Sequence, residues 1–220
     1  MPEPLKIDIW SDIACPWCYI GKRRFEAGVA EAGIPVEIEY HSFELAPDTP
    51  ADFDGSELEF LSAHKGIPEP SAAQMLGRVT SIAESVGLHY DFDALRHTNT
   101  VKAHQLLHYA KARGRQLEMK ERLLKAYFEE GRHLGRVEEL AELAAELGFD
   151  RDDVVRSLEA EEHLAEVRED QAVARDLGIQ GVPFFVIDRS YGVSGAQEPA
   201  AFAEVLRQVS AEKADAAVAS

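Results

Sequence analysis

The two cysteines of this 220-residue chain stand three positions apart, in the segment Cys15-Pro16-Trp17-Cys18. An apolar run at residues 5–10 precedes them and a helical pattern follows, so the pair lies at a predicted strand-to-helix junction. Residues three apart on a helix bring their Cβ atoms to about 5–6 Å, a separation that suits a disulfide. The spacing therefore predicts a redox-active pair.

Cys15 and Cys18 are expected to play different roles. Pro16 fits the first helical position, which makes Cys15 the N-cap, where backbone amides and the helix dipole would stabilise a thiolate. Cys18 belongs to a stripe that continues through Gly21 and Phe25, so we expect it to face the core while Cys15 is exposed. The pattern predicts Cys15 as the attacking nucleophile and Cys18 as the resolving thiol that releases a mixed disulfide.

Two other uses of such a segment are a structural zinc site and an inert cysteine pair. A structural zinc site needs four ligands, and the chain has no further cysteine. His104 and His108 stand four apart on a predicted helix, but they lack an adjacent acidic third ligand. We interpret them as a packed or solvated helix face, and the sequence predicts no metal site and no tightly bound cofactor.

Composition bounds the partners and the location. The formal net charge is −17, and a phosphate backbone or an anionic membrane surface repels such a protein, so neither nucleic acid nor membrane is expected as a partner. The acid excess is concentrated in residues 137–176, which we interpret as solvated helix faces. The first six residues lack the regions of a secretory signal, and no apolar span of about 18 residues occurs, so the expected location is the cytoplasm.

Strand and helix patterns divide the chain into three parts. The first part indicates a strand, a helix and a strand; the middle predicts about six to eight helices; the last part predicts a hairpin and a helix from Pro199. This order predicts an α/β chain with a thioredoxin-like fold, in which βαβ and ββα halves surround a mixed sheet that a large all-helical insertion interrupts. The expected bounds are 1–45 for the first half, 57–176 for the insertion, 177–211 for the second half and 212–220 for a frayed tail.

Several segments besides the cysteine pair carry a family resemblance. Residues 12–21, 181–186 and 193–197 resemble the FrnE branch of the DsbA-like thioredoxin family, which is related to 2-hydroxychromene-2-carboxylate isomerases and kappa-class glutathione transferases. Residues 97–104 and 126–131 resemble the helical insertion of that branch. The resemblance covers essentially the whole chain.

The resemblance implies thiol-disulfide oxidoreductase activity through a mixed disulfide, together with disulfide isomerase activity. It implies that Pro183 is a cis-proline facing the disulfide, although an ordinary trans proline at a strand start is the alternative. The Val182 backbone, Pro16 and Trp17 would then bind the substrate, the Trp17 indole by apolar contact. Asn99 is similarly implied to border a glutathione groove, with glutathione as a cosubstrate.

Two other functions stay open on the sequence alone. One is a glutathione-dependent isomerase or transferase, although the relatives with that activity resemble a version with serine at the position of Cys15. The other is a non-catalytic, holdase-like module whose cleft beside Pro183 grips unfolded chains. Thiol or disulfide substrates, proteins or small molecules, are the expected partners, and homodimer formation stays open.

Overall fold

A computed structural model describes residues 3–50, 53 and 55–218. Residues 217 and 218 are described without their side chains. Over these residues the chain forms, in order, β1 Leu5–Ser11, α1 Pro16–Ala32, β2 Val36–Ser42, β3 Gly55–Ser56, α2 Glu57–Ala63, α3 Glu69–Ser85, β4 Arg96–His97, α4 Val101–Lys111, α5 Gln116–Phe128, α6 Val137–Glu146, α7 Arg151–Glu159, α8 Leu164–Asp176, β5 Phe184–Ile187, β6 Tyr191–Ser194 and α9 Pro199–Val218. This is the predicted α/β thioredoxin-like fold with a helical insertion. None of the helices described combines the length and apolar content needed to cross a bilayer.

The main sheet has four strands in the order β2-β1-β5-β6. The central strand β1 pairs parallel with β2 and antiparallel with β5, and β6 pairs antiparallel with β5. Side chains alternate between the two faces of a strand. In β5, Phe185 and Ile187 therefore enter one core while Phe184 and Val186 pack on the opposite face. Helices cover both faces of the mixed sheet.

One face of the sheet is covered by α1 and α9. Phe25 from α1, Phe185 from β5 and Phe202 from α9 meet there, with ring centroids 4.7–5.3 Å apart. Buried aromatic rings at these distances gain from edge and offset contacts beyond their apolar burial. This cluster fixes α1, and with it the cysteine pair, against the sheet.

The opposite face is covered by α8, the last helix of the insertion. Trp10 of β1 is buried there with Ala174 and Ile179, and its indole N–H donates to the Asp170 carbonyl oxygen at 3.0 Å. Seven helices, α2–α8, separate β2 from β5 in the part of the chain that the structure describes, within the predicted range. A separate apolar core joins helices α3–α7 to Ile13 and Tyr19 beside the cysteine pair.

The insertion also covers the open edge of β2. The side-chain amide of Gln116 donates to the Tyr40 carbonyl oxygen at 2.8 Å and accepts from the Tyr40 amide at 2.9 Å. The Asp170 carboxylate accepts from the Ser42 amide at 2.7 Å. Unpaired strand edges invite pairing with other chains, so these side chains satisfy backbone groups that a bare edge would expose.

One expectation about the elements needs correction. The frayed tail expected at 212–220 is wrong as far as Val218, because the alanine-rich segment continues α9. Lys213 pairs with Asp188 at 3.1 Å and so ties this extension to the β5–β6 turn. Residues 219 and 220 lie outside the described residues. The two-residue strands β3 and β4, which pair antiparallel, were too short to give a sequence pattern.

Gly28 and Gly77 give opposite predictions for the same substitution. A Cβ at Gly28 of α1 would lie 2.7 Å from the Phe202 Cβ and 2.7 Å from the Pro199 carbonyl oxygen. Gly28→Ala should therefore push α1 and α9 apart and lower the free energy of unfolding by about 1–3 kcal/mol.

The matched change in α3 has open space around it. A Cβ at Gly77 meets nothing within 4 Å, so Gly77→Ala should raise the free energy of unfolding by about 0.5–1 kcal/mol, the helix-propensity gain. Urea unfolding of both variants is the measurement. Changes of the same sign in the two variants would contradict the close approach of α1 and α9.

Candidate active site

Cys15 is the N-cap residue of α1, as predicted, with extended backbone angles of φ −91° and ψ 111°, and Pro16 begins the helix. Its sulfur makes no capping hydrogen bond, although the Cys18 amide still acts to lower the pKa of the Cys15 thiol, in the predicted direction. The Cys18 amide donates to the Cys15 carbonyl oxygen at 3.0 Å instead. The Cys15 thiol donates to the Val182 carbonyl oxygen at 3.5 Å.

Both cysteines are free thiols and both are buried, each with 3% of its surface exposed. The prediction that Cys18 is buried is confirmed, and the prediction that Cys15 is exposed is wrong. Segments distant in sequence close over the start of α1. The Val182 carbonyl oxygen contacts the Cys15 sulfur, and the Tyr90 hydroxyl donates to the Pro16 carbonyl oxygen at 2.7 Å.

The two buried thiols influence each other's pKa. Burial raises the pKa of the Cys15 thiol well above its usual range, and the neighbouring Cys18 raises it further. Burial also acts against a Cys18 thiolate, but the hydrogen bond from Cys15 and the charge of Lys120 outweigh it and lower the pKa of Cys18. These directions favour Cys18 over Cys15 as the thiol that ionises first, the reverse of the predicted placement, and the two thiols titrate as a unit.

A buried carboxylate holds the segment before the cysteines. Asp12 accepts from the Leu45 amide at 2.8 Å and from the His104 ring at 3.1 Å. Burial alone would raise the pKa of Asp12, but the bonds from His104 and Leu45 outweigh it and hold that pKa below its usual range. His104 is completely buried and belongs to a packed helix face, one of the two interpretations that the sequence allowed.

A second histidine-carboxylate cluster lies on the other side of the sheet. His41 contacts Asp170 through Nδ1 at 2.8 Å and Asp8 through Nε2 at 2.9 Å, and His108 lies 3.0 Å from Asp170. Burial lowers the pKa of His41, but its bonds to Asp170 and Asp8 prevail and raise it to about 9. Asp8, Glu39 and His41 could be grouped as metal ligands, yet both ring nitrogens of His41 are engaged by carboxylates. The cluster is therefore an ion-pair joint between β1, β2, α4 and α8.

The segment around Pro183 faces α1 directly. The Val182–Pro183 peptide bond is cis. The Gly195 amide donates to the Pro183 carbonyl oxygen at 2.8 Å, which holds this segment beside the end of β6. A Cβ at Gly21 would lie 2.9 Å from the Pro183 ring, so a glycine here lets the ring approach the helix. The substrate-binding role of the Val182 backbone stays a prediction.

A groove of about 290 Å³ lies beside the cysteines. Pro16 and Trp17 line it from α1, and Trp17 is 39% exposed. Phe60 of α2 and Met75 of α3 are among the apolar side chains that line it from the insertion. The structure thus brings two of the predicted substrate-binding residues to an apolar surface built by the insertion.

Asn99 does not line this groove. Its side-chain amide donates to the Thr49 carbonyl oxygen at 2.8 Å and to the Pro47 carbonyl oxygen at 3.3 Å. Its side-chain oxygen accepts from the Val101 amide at 2.9 Å at the start of α4. Every polar atom of this side chain is therefore engaged within the protein, and the expected glutathione contact of Asn99 has no support in these contacts.

Three residues near the thiols escaped the sequence analysis as site residues: Asp12, Tyr90 and Lys120. Lys120 gave a signal that could have been used. It lies on α5 among the buried residues Met119 and Leu123, so a lysine interrupts the apolar face of an otherwise regular amphipathic helix. A charged residue in that position is almost never fully buried without a partner.

Comparison with known proteins places these features in context. Residues 6–207 match the family described as the DSBA-like thioredoxin domain. The crystal structure of a probable DsbA oxidoreductase from Streptomyces coelicolor, SCO1869, is similar with a TM-score of 0.86 and 39% identity over 93% of this chain and 89% of that chain. An uncharacterized Bacillus subtilis protein, YwbO, is 29% identical over 184 residues, covering 82% of this chain and 86% of that protein.

The cytosolic disulfide reductase DsbM from Pseudomonas aeruginosa shares the fold, with a TM-score of 0.65 and 20% identity over 92% of this chain and 97% of that chain. It has also been solved with GSH. A 2-hydroxychromene-2-carboxylate isomerase shares the fold as well, with a TM-score of 0.69 and 15% identity over 96% of this chain and 99% of that chain. Disulfide oxidoreductases and an isomerase are thus among its structural neighbours.

The coupling between the two thiols predicts that they ionise in two well-separated steps in the reduced protein. Ultraviolet absorbance of the thiolate should show the first step below the usual range of a cysteine thiol and the second well above it, since the first thiolate opposes the second. Cys15→Ala removes the donor to Cys18, so the remaining thiol should ionise at higher pH than the first step of the wild type. Two thiols that ionise together near the ordinary value would refute this coupling.

Proposed function

Because the chain belongs to the DSBA-like thioredoxin family, we propose that it is a thiol-disulfide oxidoreductase that acts through Cys15 and Cys18. The observation that carries this proposal is the meeting of two free thiols with the Val182–Pro183 segment at the start of α1. The similarity to the probable DsbA oxidoreductase, at 39% identity, supports the same class of reaction.

The proposed reaction begins with a proton shift. The Cys15 thiol passes its proton to the neighbouring Cys18 thiolate, which places the charge on the Cys15 sulfur. The Cys15 thiolate attacks a substrate disulfide, a mixed disulfide forms, and the first substrate sulfur leaves as a thiolate that takes a proton from water and leaves hydroxide. Cys18 then gives its proton to that hydroxide and attacks the Cys15 sulfur, so the second substrate sulfur leaves as a thiolate. Two electrons pass from the cysteine pair to the substrate.

Cys15 is proposed as the attacking sulfur because of where each thiol lies. The residues on either side of Cys15, Ala14 and Pro16, line the groove. Cys18 lies one helical turn further in, and its charged neighbour is the buried Lys120. An incoming disulfide in the groove would therefore reach Cys15 first, while Cys18 stays in position to resolve the mixed disulfide.

We assign the groove to an apolar part of the substrate. Trp17, Phe60 and Met75 offer apolar surface next to the thiols, and burial of apolar side chains contributes about 25 cal/mol per Å². Val182 is half-buried, and its backbone is the group with which an extended polypeptide substrate could pair, independent of the substrate's sequence. Both features favour a polypeptide disulfide, and reshuffling of such disulfides is the isomerase activity that we include in the proposal.

Glutathione is proposed as the thiol that regenerates the reduced pair, and the cytoplasm as the location. The structural neighbour DsbM is a cytosolic disulfide reductase, and it has been solved with GSH. Structural disulfides are rare in reducing compartments, whereas catalytic cysteine pairs are found there. A glutathione-dependent isomerase or transferase and a holdase-like module are the competing functions that the following experiment separates.

The proposal predicts a specific pattern of activity loss. Cys15→Ser should lower disulfide reduction and reshuffling by about 10³-fold or more, because the nucleophile is gone. Cys18→Ser should accumulate a mixed disulfide with the substrate, visible by mass spectrometry, because the resolving thiol is gone. Suppression of client aggregation is measured in parallel as the control. If Cys15→Ser kept full disulfide exchange, the proposed oxidoreductase function would be contradicted. If the wild type suppressed aggregation but exchanged no disulfides, the holdase-like function would be favoured.

The groove assignment predicts a substrate-dependent effect of Met75→Glu. Met75 is 39% exposed in the groove, and a carboxylate there loses solvation when an apolar segment binds. We expect the KM for an apolar disulfide peptide to rise by about five- to tenfold, with unchanged turnover of a small-molecule disulfide. Leu177→Glu, at an exposed position outside the groove, is the matched control. Equal effects of the two substitutions would count against the groove.

A further inference from the structure

Lys120 has an unusual environment for a lysine. It is 0% exposed, and its Nζ atom has no hydrogen-bond partner within the described part of the chain. The nearest aromatic contact is the Tyr40 ring, whose centroid lies 5.2 Å from Nζ. An ammonium group removed from water costs several kcal/mol unless an opposite charge compensates it. The compensating negative charge must therefore come from a group that does not form a conventional ion pair with Lys120.

The charged neighbours of Lys120 identify the compensating group. Cys18, Asp12 and Cys15, in this order, favour its protonated form, while burial and Lys22 oppose it. Asp12 is already engaged by His104 at 3.1 Å. The groups around Lys120 come from several elements: Cys18 and Lys22 from α1, Asp12 and Cys15 from the segment before α1, and Tyr40 from β2. Glu26 and Glu121 lie further out, where both pair with Lys22 and act on Tyr40. Of the three groups that favour the ammonium, Cys18 acts most strongly.

We propose that Lys120 is a positioning residue for the redox pair, whose ammonium holds the negative charge of the dithiol state on Cys18 and loses this partner when the disulfide forms. This inference rests on the proposed function and deepens it. It assigns to α5, a helix of the insertion, a direct influence on the balance between dithiol and disulfide.

The chemistry follows from the charges of the two states. In the reduced state the Cys18 thiolate faces the Lys120 ammonium and Cys15 keeps its proton. Oxidation forms the Cys15–Cys18 bond, removes two electrons and the Cys15 proton, and leaves a neutral disulfide beside a buried ammonium. When an incoming thiolate attacks the Cys15 sulfur of that disulfide, Cys18 leaves as a thiolate and regains its partner. Lys120 thus stabilises the leaving group and the reduced form.

The difference between the dithiol and disulfide states also changes the pKa of Lys120. Burial lowers the pKa of Lys120 to about 8 against the opposing influence of Cys18. Loss of the thiolate on oxidation removes the largest interaction that favours the protonated lysine. Lys120 should therefore keep its proton to higher pH in the reduced protein than in the oxidised protein.

The first test is Lys120→Met, with Lys125→Met as the matched control. Lys125 lies on the same helix but is exposed. Replacing a buried charge by an apolar side chain of similar length commonly preserves or raises stability, so the variant is expected to fold. In Lys120→Met the first thiolate absorbance step should move up by about one pH unit or more. At a fixed glutathione ratio the dithiol-to-disulfide ratio should fall about tenfold, while Lys125→Met stays at the wild-type values.

A second test needs no variant. The Lys120 side-chain ¹³C shift, followed by NMR against pH in the reduced and oxidised wild type, should have its midpoint at higher pH in the reduced protein. Equal midpoints in the two states would overturn the inference. The inference would also fail if Lys120→Met kept the wild-type thiolate titration and the wild-type dithiol-to-disulfide ratio with glutathione. Failure of the wild type to exchange any disulfide would instead sink the proposed function, since the thiolate titration does not depend on turnover.

Discussion

The structure depends on one buried carboxylate that joins three distant segments. Asp12 accepts hydrogen bonds from Leu45, after the first βαβ unit, and from His104, in the helical insertion. A buried carboxylate without partners is strongly destabilising, and so is a buried histidine that loses its carboxylate. These bonds tie the segment that carries the cysteines to the insertion. The cysteine site and the insertion are thereby coupled through a buried polar contact, although the sequence separates them.

A second joint explains why the insertion docks in one orientation. His41, His108 and the Ser42 amide converge on Asp170 of α8, and Gln116 of α5 pairs with the open edge of β2. Apolar packing alone tolerates sliding of helices over a sheet, because the hydrophobic effect has no direction. Hydrogen bonds and ion pairs to particular backbone groups of β2 do have direction. They fix the register of α5 and α8 against the sheet, which in turn fixes the position of Lys120 on α5.

The sequence predicted the parts of the fold that arise from local periodicity. The apolar run at residues 5–10 forms β1, which extends to Ser11, and Pro16 and Pro199 begin α1 and α9 as predicted. The burial of Cys15 could not be predicted in this way. It depends on the Val182 carbonyl oxygen, 167 positions away, and no local pattern reports such a contact. The engagement of Asn99 could not be predicted for the same reason, since its side-chain amide donates to the carbonyl oxygens of Pro47 and Thr49.

The charge that governs the thiols is also distinct from the charge that dominates the composition. A net charge of −17 acts mainly through exposed carboxylates, and salt screens such charges within about 8 Å under physiological conditions. The exposed ion pairs of α6 and α7, such as Arg151 with Glu138, each contribute about 0–1 kcal/mol. Lys120 acts on Cys18 from inside the protein, where water does not screen it and the same Coulomb interaction is several times larger. The acidic surface therefore influences how other molecules approach the protein from a distance. One interior lysine, contributed by the insertion, controls the ionisation of the Cys18 sulfur.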